Sequence, residues 1–178
     1  MTTDNPAPEF SRPVRVDQLA RHKQGVTITA DAAEREALAR RFNLLALDRL
    51  EADYRLSEEE GGIVARGRVQ AELAQPCVAT GVAVPERIDT DLLLRFVTES
   101  SETQDGEELE IDSQDCDIIA YDGQVIDMGE AVAETVALAM APYPRSPQAD
   151  TYLREAGVLS EEQASPFAAL LSLKDKKG

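Results

Sequence analysis

The sequence predicts an α+β protein: an antiparallel β-sheet, curled toward a barrel, packed by two or three helices. Three patterns lead there. Apolar residues alternate with polar ones across Leu50, Ala52, Tyr54 and Leu56, and again across Ile63, Ala65, Gly67, Val69, Ala71 and Leu73, the period-two signature of strands with one wet face. Ala33, Ala37, Leu38, Phe42 and Leu45 recur at intervals of three and four, as an amphipathic helix requires. A nearly uncharged apolar run follows Asp127, and a helix so poor in charge must be mostly buried. With 178 residues, 43% of them hydrophobic, the chain can bury one sizeable core, built from Leu, Val, Ile and Ala because aromatics are scarce and Trp is absent.

Taken in order, residues 1–13 hold three prolines and no periodicity, and read as a flexible arm. Residues 14–160 are expected to form a single domain. It opens with a short strand at 14–19 that places Val14 and Val16 on one side. Asp31 followed by Glu34 has capping-box spacing and starts a helix at about 32–42. The two alternating segments then make an antiparallel pair joined at "SEEEGG". In "CVATGVAV", Val78, Thr80, Val82 and Val84 alternate with Cys77, Ala79, Gly81 and Ala83, which predicts a third strand; Leu92, Leu94 and Phe96 mark a fourth, giving a four-strand meander. Residues 99–117 carry nine acids and no Lys or Arg, and read as a loop. Two short strands flank the turn dipeptide Asp122-Gly123. Asp127 and Glu130 repeat the capping-box spacing ahead of a helix at about 129–140, where Val132, Ala133, Val136, Ala137 and Met140 share a face; "PYPRSP" then runs extended. Residues 161–178 form a tail with a short amphipathic helix carrying Phe167, Leu170, Leu171 and Leu173.

Charge separates the function classes. The formal net charge is −16 and the sequence pI about 4.4, which argues against DNA and against broad nucleic-acid binding, since that affinity comes from Lys and Arg displacing counterions. Met1 to Arg55 is neutral, with nine basic and nine acidic groups, so the whole excess lies beyond it. "MTTDNPAPEFSRP" lacks the apolar run of a signal peptide and no segment approaches a membrane span, so the expected location is the cytoplasm. Thiols stay reduced there, and Cys77 and Cys116 are not expected to form a disulfide.

Little in the chain suggests catalysis. A zinc site needs about four Cys or His ligands, whereas Cys77, Cys116 and His22 are all there is and have no ligand spacing. Neither a metal nor a cofactor is expected. "EEEGGIV" lacks the Lys-Ser/Thr of a phosphate loop, and Asp105, Glu107 and Asp112 lack the calcium-loop pattern. His22, in "ARHKQG", reads as an exposed or locally hydrogen-bonded histidine. The alternative from the enzyme class is a thiol-dependent reaction at Cys77; the plainer reading of Cys77 is a small packed residue. Two surface poles remain. Arg12, Arg15, Arg21, Lys23, Arg40 and Arg41, with Arg35 near them, are candidates for contact with RNA; Glu107, Glu108, Glu110 and Asp112 are candidates for docking a basic partner.

Taken in sequence, "FSRPVRVDQL", "RGRVQAELAQPCVATGVAVPERI", an acidic middle, "DGQVIDMGEAVAETVALAMAPYPRSP" and "SPFAALLSLK" resemble the YceD family, the large ribosomal RNA subunit accumulation proteins. The resemblance covers about residues 10 to 173 and is strongest to the alphaproteobacterial branch. Its motif positions here are Gly67, Val69, Cys77, Asp127, Gly129 and Glu130. It implies a non-enzymatic cytoplasmic role in accumulation of large-subunit ribosomal RNA and assembly of that subunit. The implied partner is the ribosomal RNA precursor or a basic large-subunit ribosomal protein, whose gene commonly neighbours those of family members. Many relatives carry a Cys-x-x-Cys pair at the central strand; here Cys77 is matched and Thr80 stands in the second place.

Overall fold

Period-two alternation produces long strands in this chain. A computed structural model describes residues 8–98 and 117–158. In it β3 (Ala46–Glu59) and β4 (Gly62–Pro76) pair antiparallel from Ala46 opposite Ala74 to Glu59 opposite Gly62, with one irregularity between Leu47 and Arg49. β2 (Val26–Thr29) pairs antiparallel with β3, β5 (Ala83–Thr98) lies beside β4, and β6 (Asp117–Tyr121) runs parallel to the end of β5. The sheet order is therefore β2-β3-β4-β5-β6. A second sheet pairs β1 (Pro13–Arg15) antiparallel with β7 (Val125–Asp127).

The core face of the large sheet carries Leu50, Ala52, Tyr54, Leu56, Ala65, Val69, Leu92, Leu94 and Phe96, all buried. A 3₁₀ helix (Val16–His22), α1 (Ala32–Arg41) and α2 (Met128–Ala139) add Leu19, Leu38, Val132 and Val136 to the same cluster. Each such side chain stabilises the fold by roughly 2 kcal/mol relative to exposure. α1 ends where Asn43 takes a left-handed φ of 54°, a place glycine usually fills. α2 ends as Met140 turns extended, two residues before Pro142.

Residues 8–75, 85–98 and 117–141 form one compact unit; residues 76–84 and 142–158 belong to a second, which contains α3 (Ala149–Glu155). In the second unit Val78 N donates to Pro144 O at 2.9 Å and Ser146 N donates to the Cys77 thiol at 3.3 Å.

The α+β class holds, with corrections in detail. The large sheet stays open, because its edges β2 and β6 are short and each bonds only to its inner neighbour. Residues 77–82 form a turn, not a strand: Cys77 N donates to Val82 O and Gly81 N to Cys77 O, both at 2.8 Å. β5 takes in only the last two residues of the expected third strand, together with the whole of the fourth. The strand at 14–19 is shorter than expected and gives way to the 3₁₀ helix at Val16. The Asp122-Gly123 turn does not close a hairpin, since β6 and β7 go to different sheets. The arm also ends sooner than its prolines suggest, because Phe10 is fully buried and Pro13 already lies in β1. The acidic segment up to residue 116 and the tail at 161–178 lie outside the described residues.

Candidate partner-binding surfaces

Two of the arginines proposed for RNA contact, Arg12 and Arg41, sit where helix N-termini gather carboxylates. Asp127 caps α2: its Oδ1 accepts from Gly129 N at 3.0 Å and Glu130 N at 3.2 Å. The same oxygen accepts from Arg12 N at 2.8 Å, and Oδ2 accepts from the Ser11 hydroxyl. This crossing requires glycine at 129, since a Cβ there would lie 2.3 Å from Phe10 O and 2.9 Å from Arg12 N.

Arg12, held by its backbone at α2, turns its guanidinium to α1. It donates to both oxygens of Glu34, at 2.6 and 2.9 Å, and to Ser11 O and Thr29 O, while lying 4.5 Å over the Phe10 ring. Arg41 reaches from α1 to both oxygens of Glu130, at 2.6 and 2.9 Å, and to Glu9 at 3.0 Å. Both pairs are about two-thirds or more shielded from solvent. Hydrogen bonding to Glu34 and Glu130 holds these guanidinium groups more firmly protonated than usual, and Arg12 in turn pulls the Glu34 carboxyl down.

The other cations differ. Arg15 pairs with Asp17 and Arg40 with Glu36, both in the open. Such pairs contribute about 0–1 kcal/mol and yield readily to a competing anion. Arg35 donates to Ala30 O. Arg21 and Lys23 are exposed, with neither a hydrogen bond nor an ion pair among the described residues. Glu107, Glu108, Glu110, Asp112 and Cys116 lie outside the described residues.

The solvent face of the large sheet is cross-linked by charge. Arg66 pairs with Glu59, Arg68 with Asp89 and Asp91, Arg87 with Glu72, and Arg49 with Glu51. The Arg66 hydrogen bond pulls the Glu59 carboxyl down to about 2. A groove of about 720 Å³ opens beside residues 24–27, where Arg55 and Arg66 are offset by Asp53 and Asp91. Its lining selects neither charge sign. Gly67 lies in its wall opposite Tyr54, and a Cβ there would lie 2.0 Å from Asp53 O, so β4 approaches β3 more closely than a side chain allows. Val69, two residues on, is fully buried.

Among the described residues, His22 and Cys77 fall in different units. His22 lies in the first unit, half-buried and stacked on Tyr54 at 6.1 Å; its Nδ1 is buried without a hydrogen-bond partner, contrary to the exposed or bonded state expected of a polar stretch. Burial and then Arg21 lower its pKa. Cys77 lies in the second unit, only 3% exposed, and hydrogen bonds from Ser146 and Thr80 lower its thiol to about 6. The described part of that unit contains no histidine that could serve as a base. Among the described residues no group of three potential ligands is placed to hold a metal, and no helix is long and apolar enough to cross a membrane.

Residues 65–174 match the family model described as large ribosomal RNA subunit accumulation protein YceD. The chain belongs to the YceD family. No curated protein and no solved structure matches it. The YceD description names accumulation of large-subunit ribosomal RNA, a process and not a reaction. The matched span contains Gly67, Val69, Cys77, Asp127, Gly129 and Glu130, together with the acidic segment. It begins after Arg12, Arg15, Arg21, Lys23, Arg40 and Arg41. Sequence reasoning singled out Asp127 and Glu130 but not their bonds, because the partners are remote: Arg12 lies 115 positions from Asp127, and Arg41 lies 89 from Glu130.

Proposed function

We propose that this chain is a cytoplasmic, non-enzymatic binding factor that supports accumulation of large-subunit ribosomal RNA by holding a basic large-subunit ribosomal protein. The observation that carries this reading is the inward use of the arginines. The Arg12 guanidinium is held by Glu34 and that of Arg41 by Glu130 and Glu9, so two of the six candidate cations are already paired within the fold. The net charge of −16 lies beyond residue 55, within and around the family-matched span, where it attracts a cationic protein and repels RNA. Glu107, Glu108, Glu110 and Asp112 are the proposed contact groups. The effect on RNA is then indirect, through delivery or protection of its protein.

The test is crosslinking of the tagged protein in its native cells, with RNA and protein recovered separately at low and high salt. A ribosomal protein whose recovery survives nuclease and falls when Glu107, Glu108, Glu110 and Asp112 are neutralised supports the reading. Recovery of large-subunit RNA alone, lost when Arg21 and Lys23 are neutralised, contradicts it and favours direct RNA binding.

A further inference from the structure

His22 is the one histidine in the chain, and it closes the 3₁₀ helix Val16–His22. Runs of 3₁₀ helix beyond about three or four residues are uncommon, because their hydrogen bonds are poorly aligned. This one has seven residues, no side-chain N-cap, and Leu19 as its one buried residue. Its hold on the core therefore rests on Leu19, on the partly buried Val16, and on the His22 ring, which stacks on Tyr54 of β3 with 10° between the planes. Both ends are pinned. Before the helix, β1 is paired with β7 and Val16 N donates to Gln124 O at 3.0 Å; after it, Gly25 at a φ of 101° turns the chain into β2, which is paired with β3. The segment between can lift from β3 while both ladders stay intact.

The surroundings of the ring suit only its neutral form. Nδ1 is buried with no hydrogen-bond partner among the described residues. In the neutral ring that nitrogen can remain a bare lone pair, with the proton on Nε2; in the imidazolium it becomes a donor, and a buried charged donor without an acceptor is costly. No neighbouring acid offsets this. Within the 3₁₀ helix the charge acting on the ring is Arg21, of the same sign, while Asp17 is paired with Arg15 of β1 in the open. β3 presents the Tyr54 phenol, which burial pushes up to about 12 and so keeps neutral, and β2 has no ionisable side chain. Asp127 of β7, which acts on Tyr54, is taken by Arg12 N and the first amides of α2. We propose that His22 is an acid-released latch: protonation drives its ring off Tyr54, so that residues 17–24 lift away and uncover Tyr54, which also lines the groove beside residues 24–27. Because the fold favours the neutral ring, the latch holds fully above the unfolded value of about 6.5 and weakens as pH falls below it. It is independent of the partner assigned above and of Cys77, which lies in the other unit.

The test follows the full chain by NMR from about pH 7.5 to about pH 5. The single imidazole is expected to titrate below its value in the unfolded chain. Amide protection over residues 17–24 should fall by about threefold or more across that range, while protection in β4 stays level. His22→Phe keeps an aromatic ring against Tyr54 without the titration, and its protection over 17–24 should not change with pH. An imidazole that titrates at or above the unfolded value overturns the proposal, whether or not the variant folds. Protection that stays level in the wild type, or that falls equally in His22→Phe, also overturns it.

Discussion

α1 and α2 begin with the same spacing, Asp31 to Glu34 and Asp127 to Glu130, yet the second carboxylate goes to a different place in each. At α1 the box closes: Glu34 N donates to Asp31 and Asp31 N donates back to Glu34, which also takes Arg12. At α2 Asp127 caps two amides and holds the incoming Arg12 backbone, while Glu130 is committed to Arg41 of α1. The spacing therefore fixes where a helix starts, and the cations that folding brings nearby decide what its acids do next. Each helix start holds an arginine from elsewhere in the chain, which is why these arginines serve the fold.

The comparison can be broken at several points. Val136→Asp, on the buried face of α2, should abolish cooperative unfolding at ordinary temperature, because an unpaired buried carboxylate costs several kcal/mol; an unchanged melting curve would contradict the assignment of that face. The second helical position separates the two starts more sharply. It is Ala33 in α1 and Gly129 in α2, and Gly129→Ala should cost about 2–3 kcal/mol through contact with Phe10 O, whereas Ala33→Gly should cost about 1 or less. Denaturant midpoints of the two variants give the ratio. Asp127→Ala should likewise exceed Asp31→Ala, at about 2–3 against about 1 kcal/mol, since it orphans Arg12 N as well as the helix amides. Equal losses would mean that the Arg12 contact contributes nothing.

A separate effect concerns pH in the second unit. The Cys77 thiol titrates at about 6 in the fold against about 9 ordinarily, so its contribution is complete above the unfolded value and is lost as pH falls through 6. Wild type should lose stability relative to Cys77→Ser between about pH 9 and 6. Alkylation of Cys77 should track opening of the unit, since the residue is buried. Rapid single-site modification of the closed form would restore the thiol-enzyme reading.

What the sequence made legible was local. β3, β4 and α1 follow from alternation and capping, because neighbours in the chain determine them. The turn at 77–82 did not, since Val78, Thr80 and Val82 alternate like a strand and outweigh Gly81, which takes the left-handed φ of 72° in the turn. Nor did the parallel placement of β6, which depends on a crossover. Phe10 stood alone among prolines and polar residues, so its burial was invisible without the core it enters. The basic pole was legible as composition, whereas the pairing of Arg12 and Arg41 was not, because Glu34, Asp127 and Glu130 lie 22 to 115 positions from the arginines they hold.

The most direct measurement is thermal stability beside RNA crosslinking for Arg12→Gln with Arg41→Gln. The account predicts a melting temperature lower by about 5 °C or more, with RNA crosslinking per folded molecule unchanged. Unchanged stability together with lost RNA crosslinking would contradict it, and would return these arginines to the surface as nucleic-acid ligands.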